Sequence, residues 1–340
     1  MTSWDTRTRV ISQSTAILTV SLAIIFTAPP AIASETTKTS VLTLMVENDL
    51  FYHSDRDYTN GIALVWGPSP EPTPDWAVTM ARLVPWFPKE GEVGHGYTIG
   101  QNMYTPRDIT VANPPLNDRP YGGWLYGSMG MGTETGRQLD LVTLTLGVVG
   151  PASQAEQAQK AVHKIVGSPQ PQGWNTQLKN ELGILLTYQR SWRALADSTL
   201  DGLAIDLTPD AGFALGNVYT YASAGLTLRY GKNLTMDYGP PRIQPSPLGT
   251  GYFATKENFT WYLFTGFEMR AVARNIFLDG NTFQSSRSVE KKPFVSDFQW
   301  GVVTVWNGVH LTYTHVVRTR EFKTQGGSDQ FGAFSISTEY

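Results

Sequence analysis

Short segments in which apolar and polar residues alternate recur along most of the chain. Alternation with a period of two is the pattern of a β-strand, because successive side chains point to opposite faces of a sheet. The pattern predicts twelve strands, over residues 41–50, 59–67, 95–104, 121–133, 138–149, 180–193, 200–214, 218–231, 258–273, 295–306, 309–321 and 328–340. An even number of strands is typical of a barrel that crosses a bacterial membrane.

The alternation also indicates which face of a strand meets lipid. In the ninth predicted strand, Glu268 and Arg270 lie on the face opposite Leu263, Phe267 and Met269. Charged side chains on one face and large apolar ones on the other suit a narrow barrel with a polar interior and an apolar outer wall. The predicted fold class is therefore all-β, an antiparallel transmembrane β-barrel of twelve strands.

The first 33 residues have the organisation of a secretory signal peptide. Arg7 and Arg9 precede an apolar run, which ends at Ala31-Ile32-Ala33, a small-x-small processing motif. The apolar run is shorter than the roughly 20 residues that a membrane-spanning helix needs. We therefore expect a signal peptide over 1–33 and an outer-membrane β-barrel domain over 34–340.

Composition narrows the function classes. The net charge is −3 and 16% of the residues are charged, a charged fraction below the roughly 25% of soluble domains. This balance gives no basic surface for nucleic acid. The chain has no cysteine, which excludes disulfides and thiol catalysis. Aromatic residues make up 12% of the chain, as expected for the aromatic girdles at the two membrane interfaces.

The order of the strands predicts which connections face the outside of the cell. If both chain ends lie in the periplasm, the tight connections Thr135-Gly136 and Asn307-Gly308 are periplasmic, as short turns should be. The connections 68–94 and 232–257 are long for that side. The predicted extracellular connections are 51–58, 105–120, 150–179, 215–217, 274–294 and 322–327.

The connection 150–179 is the predicted extracellular segment with helical periodicity. Ser153 can start a helix and Gly167 can end it. We expect this short extracellular helix, around residues 153–166, to lie against the barrel top. His163 lies at the edge of the stripe, with Gln159 on the same side. This histidine is either exposed on a solvated helix face, the more frequent case, or directed at the rim. The stripe consists of Ala155, Ala158, Val162, Ile165 and Val166.

Oxygen-bearing side chains collect at the first predicted hairpin. Glu47-Asn48-Asp49 ends the first strand, and Asp57-Tyr58-Thr59-Asn60-Gly61 opens the second. Carboxylate, amide and hydroxyl oxygens suit a hard cation such as Ca²⁺ and argue against zinc. The same residue types also simply form turns, so both interpretations stay open on the residues alone.

Basic residues follow the third predicted strand. Asn117-Asp118-Arg119-Pro120 lies at the same rim, and Arg107 precedes it. The Asp-Arg pair beside aromatic residues is either a structural latch for the loop or part of a site that attracts an anionic, phosphorylated lipid.

Several of these segments, taken in order, resemble the lipid A deacylase LpxR family. The resemblance extends from residue 41 to about residue 190. It implies a twelve-stranded outer-membrane barrel of a Gram-negative bacterium that uses calcium to hydrolyse the 3′-acyloxyacyl ester of lipid A in lipopolysaccharide. The segments that carry it are Glu47-Asn48-Asp49-Leu50-Phe51, Asp57-Tyr58-Thr59, Gln101 to Pro106, Asp118-Arg119-Pro120-Tyr121 and Gly147 to Trp174.

The resemblance also assigns roles to single residues. His163 matches the family histidine that activates water, Asn48 and Asp49 match its paired Asn-Asp, and Thr59 matches its site threonine. We assign Asn48 and Asp49 to calcium as well. The family has a lysine after the third strand, where this chain reads Arg107-Asp108-Ile109. Either Arg107 substitutes for that lysine or the substrate head group is bound differently, and Arg107 and Arg119 are the candidates for binding the anionic substrate.

Two alternatives remain. An outer-membrane phospholipase would need a serine nucleophile paired with a histidine, for which His315 is the other candidate. A non-enzymatic barrel, either a small pore or an adhesin, needs no such site. Inward-facing Glu268 and Arg270 would help to close a pore.

Overall fold

The structure is a computed structural model of the 340-residue chain. Asp49 and the whole of the expected signal peptide, with its processing motif, lie outside the residues that it describes. The side chains of residues 57–59 are likewise not described. The described ranges are 40–48, 57–69, 71–234, 237–239 and 259–339.

Within these ranges the chain forms thirteen β-strands and three α-helices. No helix among the described residues is long and apolar enough to cross a membrane. The helices are α1 (Asp75–Arg82), α2 (Ala155–Val166) and α3 (Ile276–Asp279). The strands are β1 (Val41–Asn48), β2 (Asp57–Gly67), β3 (Gly94–Thr105), β4 (Gly122–Thr135), β5 (Gln138–Val149), β6 (Glu181–Trp192), β7 (Ala196–Leu200), β8 (Leu203–Gly216), β9 (Tyr219–Lys232), β10 (Phe259–Asn275), β11 (Phe294–Trp306), β12 (Val309–Arg318) and β13 (Asp329–Glu339).

Twelve of the strands close into a single antiparallel barrel. Each pairs with its neighbours in chain order, β6 pairs with β8, and β1 pairs with β13 to close the ring. The predicted barrel is thus confirmed. The extra strand, β7, was not predicted. It pairs with the first five residues of β8. All residues of its sequence Ala-Asp-Ser-Thr-Leu are exposed, so the alternation of buried and exposed residues that marks a barrel strand is missing.

The predicted pleat is also confirmed. Glu268 and Arg270 are buried inside the barrel, whereas Leu263, Phe267 and Met269 are about half exposed on the outer wall. Antiparallel strands place directly paired residues on the same face, so the outward set can be followed from strand to strand. It forms an apolar belt, which includes Ile62, Leu64, Ile99, Leu125, Leu146, Ile184, Leu226, Phe298, Trp300, Phe334 and Ile336.

Side chains fill the described part of the barrel interior. Asp297 accepts hydrogen bonds from the guanidinium groups of Arg270 and Arg318, at 3.0 and 2.8 Å. The hydroxyl groups of Tyr104 on β3 and Tyr219 on β9 lie 2.6 Å apart, although these strands are not neighbours in the sheet. The Asp297 cluster connects the adjacent strands β10, β11 and β12, whereas the tyrosine pair crosses the interior between distant strands.

The two ends of the barrel differ in their connections. We call the end at which β1, β3 and β5 finish the top end, and the opposite one the bottom end. The bottom end has a two-residue turn at 307–308, as predicted, and another at 136–137, one residue beyond the predicted Thr135-Gly136. The segment that contains α1 lies at the same end. The long connections 106–121, 150–180, 276–293 and 319–328 lie at the top end. Outer-membrane barrels have this polarity, with long loops outside the cell.

Candidate functional site

Helix α2 lies on the outer wall at the top end, against β3 and β4. The Gln101 side-chain amide, on the outward face of β3, donates a hydrogen bond of 2.6 Å to the carbonyl of Ser153. The backbone N–H of Gly150 donates to the carbonyl of Gly123 on β4. A Cβ at Gly123 would collide with Ser153 and Ala155, so the glycine is what lets the start of α2 approach the wall. The predicted helix is confirmed.

The helix packs on only the start of its apolar stripe, at Ala155 and partly at Ala158. Its buried residues are Ala155, Gln159 and His163, while Val162 and Val166 are exposed and Ile165 is 75% exposed. The physical reason is the location: on the outer wall of a membrane barrel, the helix side that turns away from the protein has the same apolar surroundings as the belt. His163 is therefore not an exposed histidine on a solvated helix face, which was the more frequent of the two cases considered from the sequence.

His163 is 2% exposed, and its ring is oriented by the chain that follows the helix. Gly167 ends α2 in the left-handed conformation, with φ 73°, and Ser168 N–H then bonds back to the His163 carbonyl. This turn brings the carbonyl oxygen of Pro169 to 2.6 Å from Nδ1 of the ring. A carbonyl oxygen only accepts, so Nδ1 donates, and in the neutral ring the basic lone pair is on Nε2.

Gln159 lies one turn before His163 on the same buried face. Its side-chain oxygen accepts a hydrogen bond of 2.7 Å from the indole N–H of Trp174, and Trp174 packs on the Tyr121 ring, 4.8 Å away between centroids. The amide nitrogen of Gln159 is buried and has no hydrogen-bond partner in the described part of the chain. A buried donor of this kind calls for a water or ligand acceptor.

Asn48 lies on the outer face of the wall, in the same row of paired residues as Gly123, which the start of α2 contacts. It is opposite Asn60 in the register, Asn60 is opposite Met103, and Met103 is opposite Gly123. These four residues therefore form one outward row across β1 to β4. At about 4.8 Å between strands, Asn48 is roughly 10 Å from Met103 along this row.

Thr59 coincides with an irregularity at the top of β2. Tyr58 pairs with Tyr104 and Asn60 pairs with Met103, so Thr59 is the extra residue of a β-bulge. A bulge alters the alternation of side chains in the strand that contains it, which here is β2. The Thr59 side chain and the whole of Asp49 lie outside the described residues, so their assignments stay predictions.

Arg119 forms a structural latch, which is one of the two roles that the sequence allowed for the Asp-Arg pair. Its guanidinium is fully buried, pairs with Glu321, and lies over the Tyr104 and Phe322 rings. Asp118 is not its ion-pair partner. The Asp118 carboxylate instead accepts hydrogen bonds from the backbone N–H groups of Arg107 and Arg119. This burial does not favour the predicted role of Arg119 in substrate binding.

Arg107, by contrast, is exposed at the top end. It lines an open cavity of about 160 Å³ between the connections 106–121 and 319–328. The cavity thus carries a cationic group beside a short run of glycines. Its other lining residues are Pro115, Asn117, Asp118, Phe322, Thr324, Gln325, Gly326, Gly327 and Ser328.

No group of three or more His, Asp or Glu side chains that could hold a metal occurs among the described residues. The described contribution to the predicted calcium site is the Asn48 amide at the end of β1. An amide oxygen together with carboxylate and hydroxyl oxygens is a donor set that fits calcium.

His315, the other histidine considered from the sequence, lies in the same outward row. It is opposite Gly332 on β13, which is opposite Asn48 on β1. Its ring packs against Trp300, with 5.0 Å between centroids. His315 is thus on the side of Asn48 away from α2.

Comparisons with known proteins agree with this architecture. The model of a family described as "Outer membrane protein LpxR" matches residues 18–340. LpxR from Salmonella typhimurium superposes with a TM-score of 0.70 at 19% identity, over 88% of this chain and 99% of that one. The β-domain of the Bordetella autotransporter BrkA gives a TM-score of 0.39 at 8% identity, over 89% and 97% of the two chains. No curated protein sequence matches this chain.

Proposed function

Because the chain belongs to the LpxR family of outer-membrane proteins, we propose that it is a lipid A deacylase that removes the 3′-linked acyloxyacyl chain with water activated by His163. The observation that carries the proposal is the ring of His163, buried on the same side of α2 as Gln159 and fixed through Nδ1 by a backbone carbonyl. An imidazole held in this way presents a basic nitrogen in a constant direction.

The location of α2 suits a lipid substrate. The helix lies outside the barrel, in line with the apolar belt and at the end with the long loops. Lipid A in the outer leaflet could therefore reach His163 by lateral movement, without leaving the membrane. The ester bond would lie at the level of the rim and the acyl chains alongside the belt below it.

In the proposed reaction, Nε2 of His163 takes a proton from water while the water oxygen attacks the carbonyl carbon of the ester. The carbon–oxygen bond to the sugar then breaks, and the leaving oxygen takes the proton back from Nε2. The products are the free acyloxyacyl acid and a sugar hydroxyl. No acyl-enzyme forms, so no serine nucleophile is required. The Pro169 carbonyl stabilises the ring while it carries two protons.

Two further groups would support this step. The unpartnered amide nitrogen of Gln159, held by Trp174, is a candidate donor to the ester carbonyl or to the attacking water. Asn48 and Asp49 would bind calcium directly, and Thr59 would lie beside them. The chemistry that a calcium ion supplies in such a site is polarisation of the ester carbonyl and neutralisation of the charge that develops on its oxygen.

The substrate head group would be bound by Arg107. Its exposed guanidinium lies at the edge of a cavity that is open at the top end, where the phosphorylated sugars of lipid A would project. Guanidinium groups bind phosphate and carboxylate groups with paired hydrogen bonds. Arg107 takes this role in place of the family lysine.

Purified protein incubated with lipid A tests the proposal. We expect release of the acyloxyacyl acid, loss of release with His163→Ala, and loss on chelation by EGTA that added calcium restores. Lys164→Ala, an exposed neighbour on the same helix, is the control and should keep full activity. Unchanged release from His163→Ala would refute the histidine mechanism, and unchanged release in EGTA would refute the role of calcium.

The outer-membrane phospholipase is the alternative enzyme, and its serine nucleophile makes it distinguishable. Phosphonates that react with serine should leave the deacylase unaffected, and phospholipids should not be consumed. The small pore is less well supported, because Asp297 with its two arginines and the Tyr104–Tyr219 contact occupy the described interior.

A further inference from the structure

Helix α1 lies against the outer wall at the bottom end. Ala77 and Ala81 on the helix and Phe87 just after it are buried, and they form an apolar cluster with Met131 on β4 and Val142 on β5. The two wall residues are directly paired. The helix therefore belongs to the outer surface of the barrel and not to its interior.

The wall beneath α1 continues downward from the apolar belt. Met131 has the same outward direction as Leu125 on β4, and Val142 has the same direction as Leu146 on β5, because these residues are separated by even steps along their strands. Leu125 and Leu146 are exposed. Thus α1 covers the outer wall at the lower edge of the surface that meets lipid hydrocarbon.

The covered wall includes charged groups that would be costly in hydrocarbon. Asp140 on β5 is fully buried and accepts hydrogen bonds of 2.6 Å from the Tyr188 hydroxyl and 2.7 Å from Arg190 on β6. Arg190 also donates to the carbonyl of Trp86, which follows α1, at 2.6 Å. The segment 75–87 shields this polar cluster and supplies one of its acceptors.

The rest of α1 is divided into two kinds of surface. At about 100° per residue, Trp76, Met80 and Leu83 share a flank roughly a third of a turn from the buried side. All three are exposed, Leu83 by 70%. The polar residues Asp75 and Arg82 lie on the other flank, also roughly a third of a turn from the buried side. A helix with one buried side, one apolar flank and one polar side fits a boundary between lipid and water.

We propose that segment 75–87 is a membrane-interface anchor whose apolar flank inserts into the lipid leaflet at the bottom end of the barrel. The lipid leaflet is the expected occupant because the wall that α1 covers continues into the belt, and because the exposed Trp76 and Trp86 are of the residue type that collects at membrane interfaces. The polar side of the helix then faces water. The anchor fixes the height of the barrel in the membrane, and this role does not depend on the proposed enzymatic activity.

The absence of cysteine from the chain makes a site-specific test direct. Leu83→Cys and Arg82→Cys each introduce a single thiol for a nitroxide label, at neighbouring positions about 100° apart on the helix. The labelled proteins are reconstituted in vesicles of phosphatidylethanolamine and phosphatidylglycerol. Collision rates with oxygen, which concentrates in lipid, and with a water-soluble nickel chelate are then measured by electron paramagnetic resonance.

We expect the label at residue 83 to shift toward oxygen and away from the nickel chelate relative to the label at residue 82. Equal access of the chelate to both positions would overturn the proposal. Protection of residue 83 from both reagents would also overturn it, because it would indicate that protein covers the flank, for example a second copy of this chain. Met80→Cys, on the same flank, replaces Leu83→Cys if that variant does not fold.

Discussion

The Nδ1 atom of His163 lies 2.6 Å from the carbonyl oxygen of Pro169, six residues further along the chain. The contact exists because Gly167 ends α2 in the left-handed conformation and turns the chain back along the last helical turn. A backbone carbonyl cannot be protonated in the pH range of enzymes, so it holds the same tautomer of the ring throughout the reaction. The loop after α2 is therefore part of the site although it carries no reactive side chain.

Gly167→Ala should lower the turnover of lipid A. Alanine in the left-handed conformation costs about 1–2 kcal/mol, and relief of this strain would move the Pro169 carbonyl away from the ring. Gly136 is a matched control, because it also has a positive φ, 64°, with nothing near its missing Cβ, and it lies at the bottom end. Gly136→Ala should be strained similarly but keep its turnover. Equal turnover of both variants in the fatty-acid release assay would contradict the role of this turn.

Gln159→Leu should reduce kcat by about 100-fold if its amide nitrogen donates to the reacting ester or water, as measured for single donors of this kind. Leucine has a similar size, so the packing of α2 on the wall is largely kept. Gln157→Leu, on the exposed side of the same helix, should have no effect on kcat. A Gln159→Leu enzyme whose thermal stability falls but whose kcat does not would show that Gln159 only holds Trp174.

Arg107→Ala should raise KM for lipid A by about tenfold or more, because a hydrogen bond to a charged group contributes about 1.5–3 kcal/mol. The effect should be smaller for lipid A that lacks its phosphates. Arg320→Ala removes the same charge from an exposed position at the same end and is the control. Similar KM changes in the two variants would point to general attraction of an anionic lipid and not to a specific contact.

Acidification should destabilise the latch between the connections 106–121 and 319–328. Burial raises the pKa of Glu321, but Arg119 and Arg318 lower it by more, so the pKa of this carboxyl is below its ordinary value of 4.5. A carboxyl with a lowered folded-state pKa stabilises the fold above its ordinary pKa and loses this contribution as the pH falls through the folded-state value. The thermal unfolding temperature of the wild type should therefore fall below about pH 4.5, and that of Glu321→Gln should fall less. An identical decline in both would exclude Glu321 as its cause.

The sequence predicted the barrel well because each of its strands repeats the same alternation. The face on which Leu263 or Glu268 lies can be inferred from the residues next to it in the chain. It could not decide the role of Arg119, because the partner, Glu321, is 202 residues away. The apolar stripe of α2 was equally ambiguous. Val162 and Ile165 indicate a helix with one apolar side, but the pattern does not say whether that side meets protein or lipid.

The central claim is that His163 activates the water that cleaves the 3′ ester, and lipid A from cells is where it can be measured most directly. Cells that produce the wild type, His163→Ala or Lys164→Ala are compared by mass spectrometry of their lipid A, with equal amounts of folded protein in the outer membrane. We predict that wild type and Lys164→Ala yield lipid A that lacks the two acyl chains of the 3′-acyloxyacyl group, whereas His163→Ala leaves lipid A intact. Lipid A shortened in the same way by His163→Ala would contradict the account.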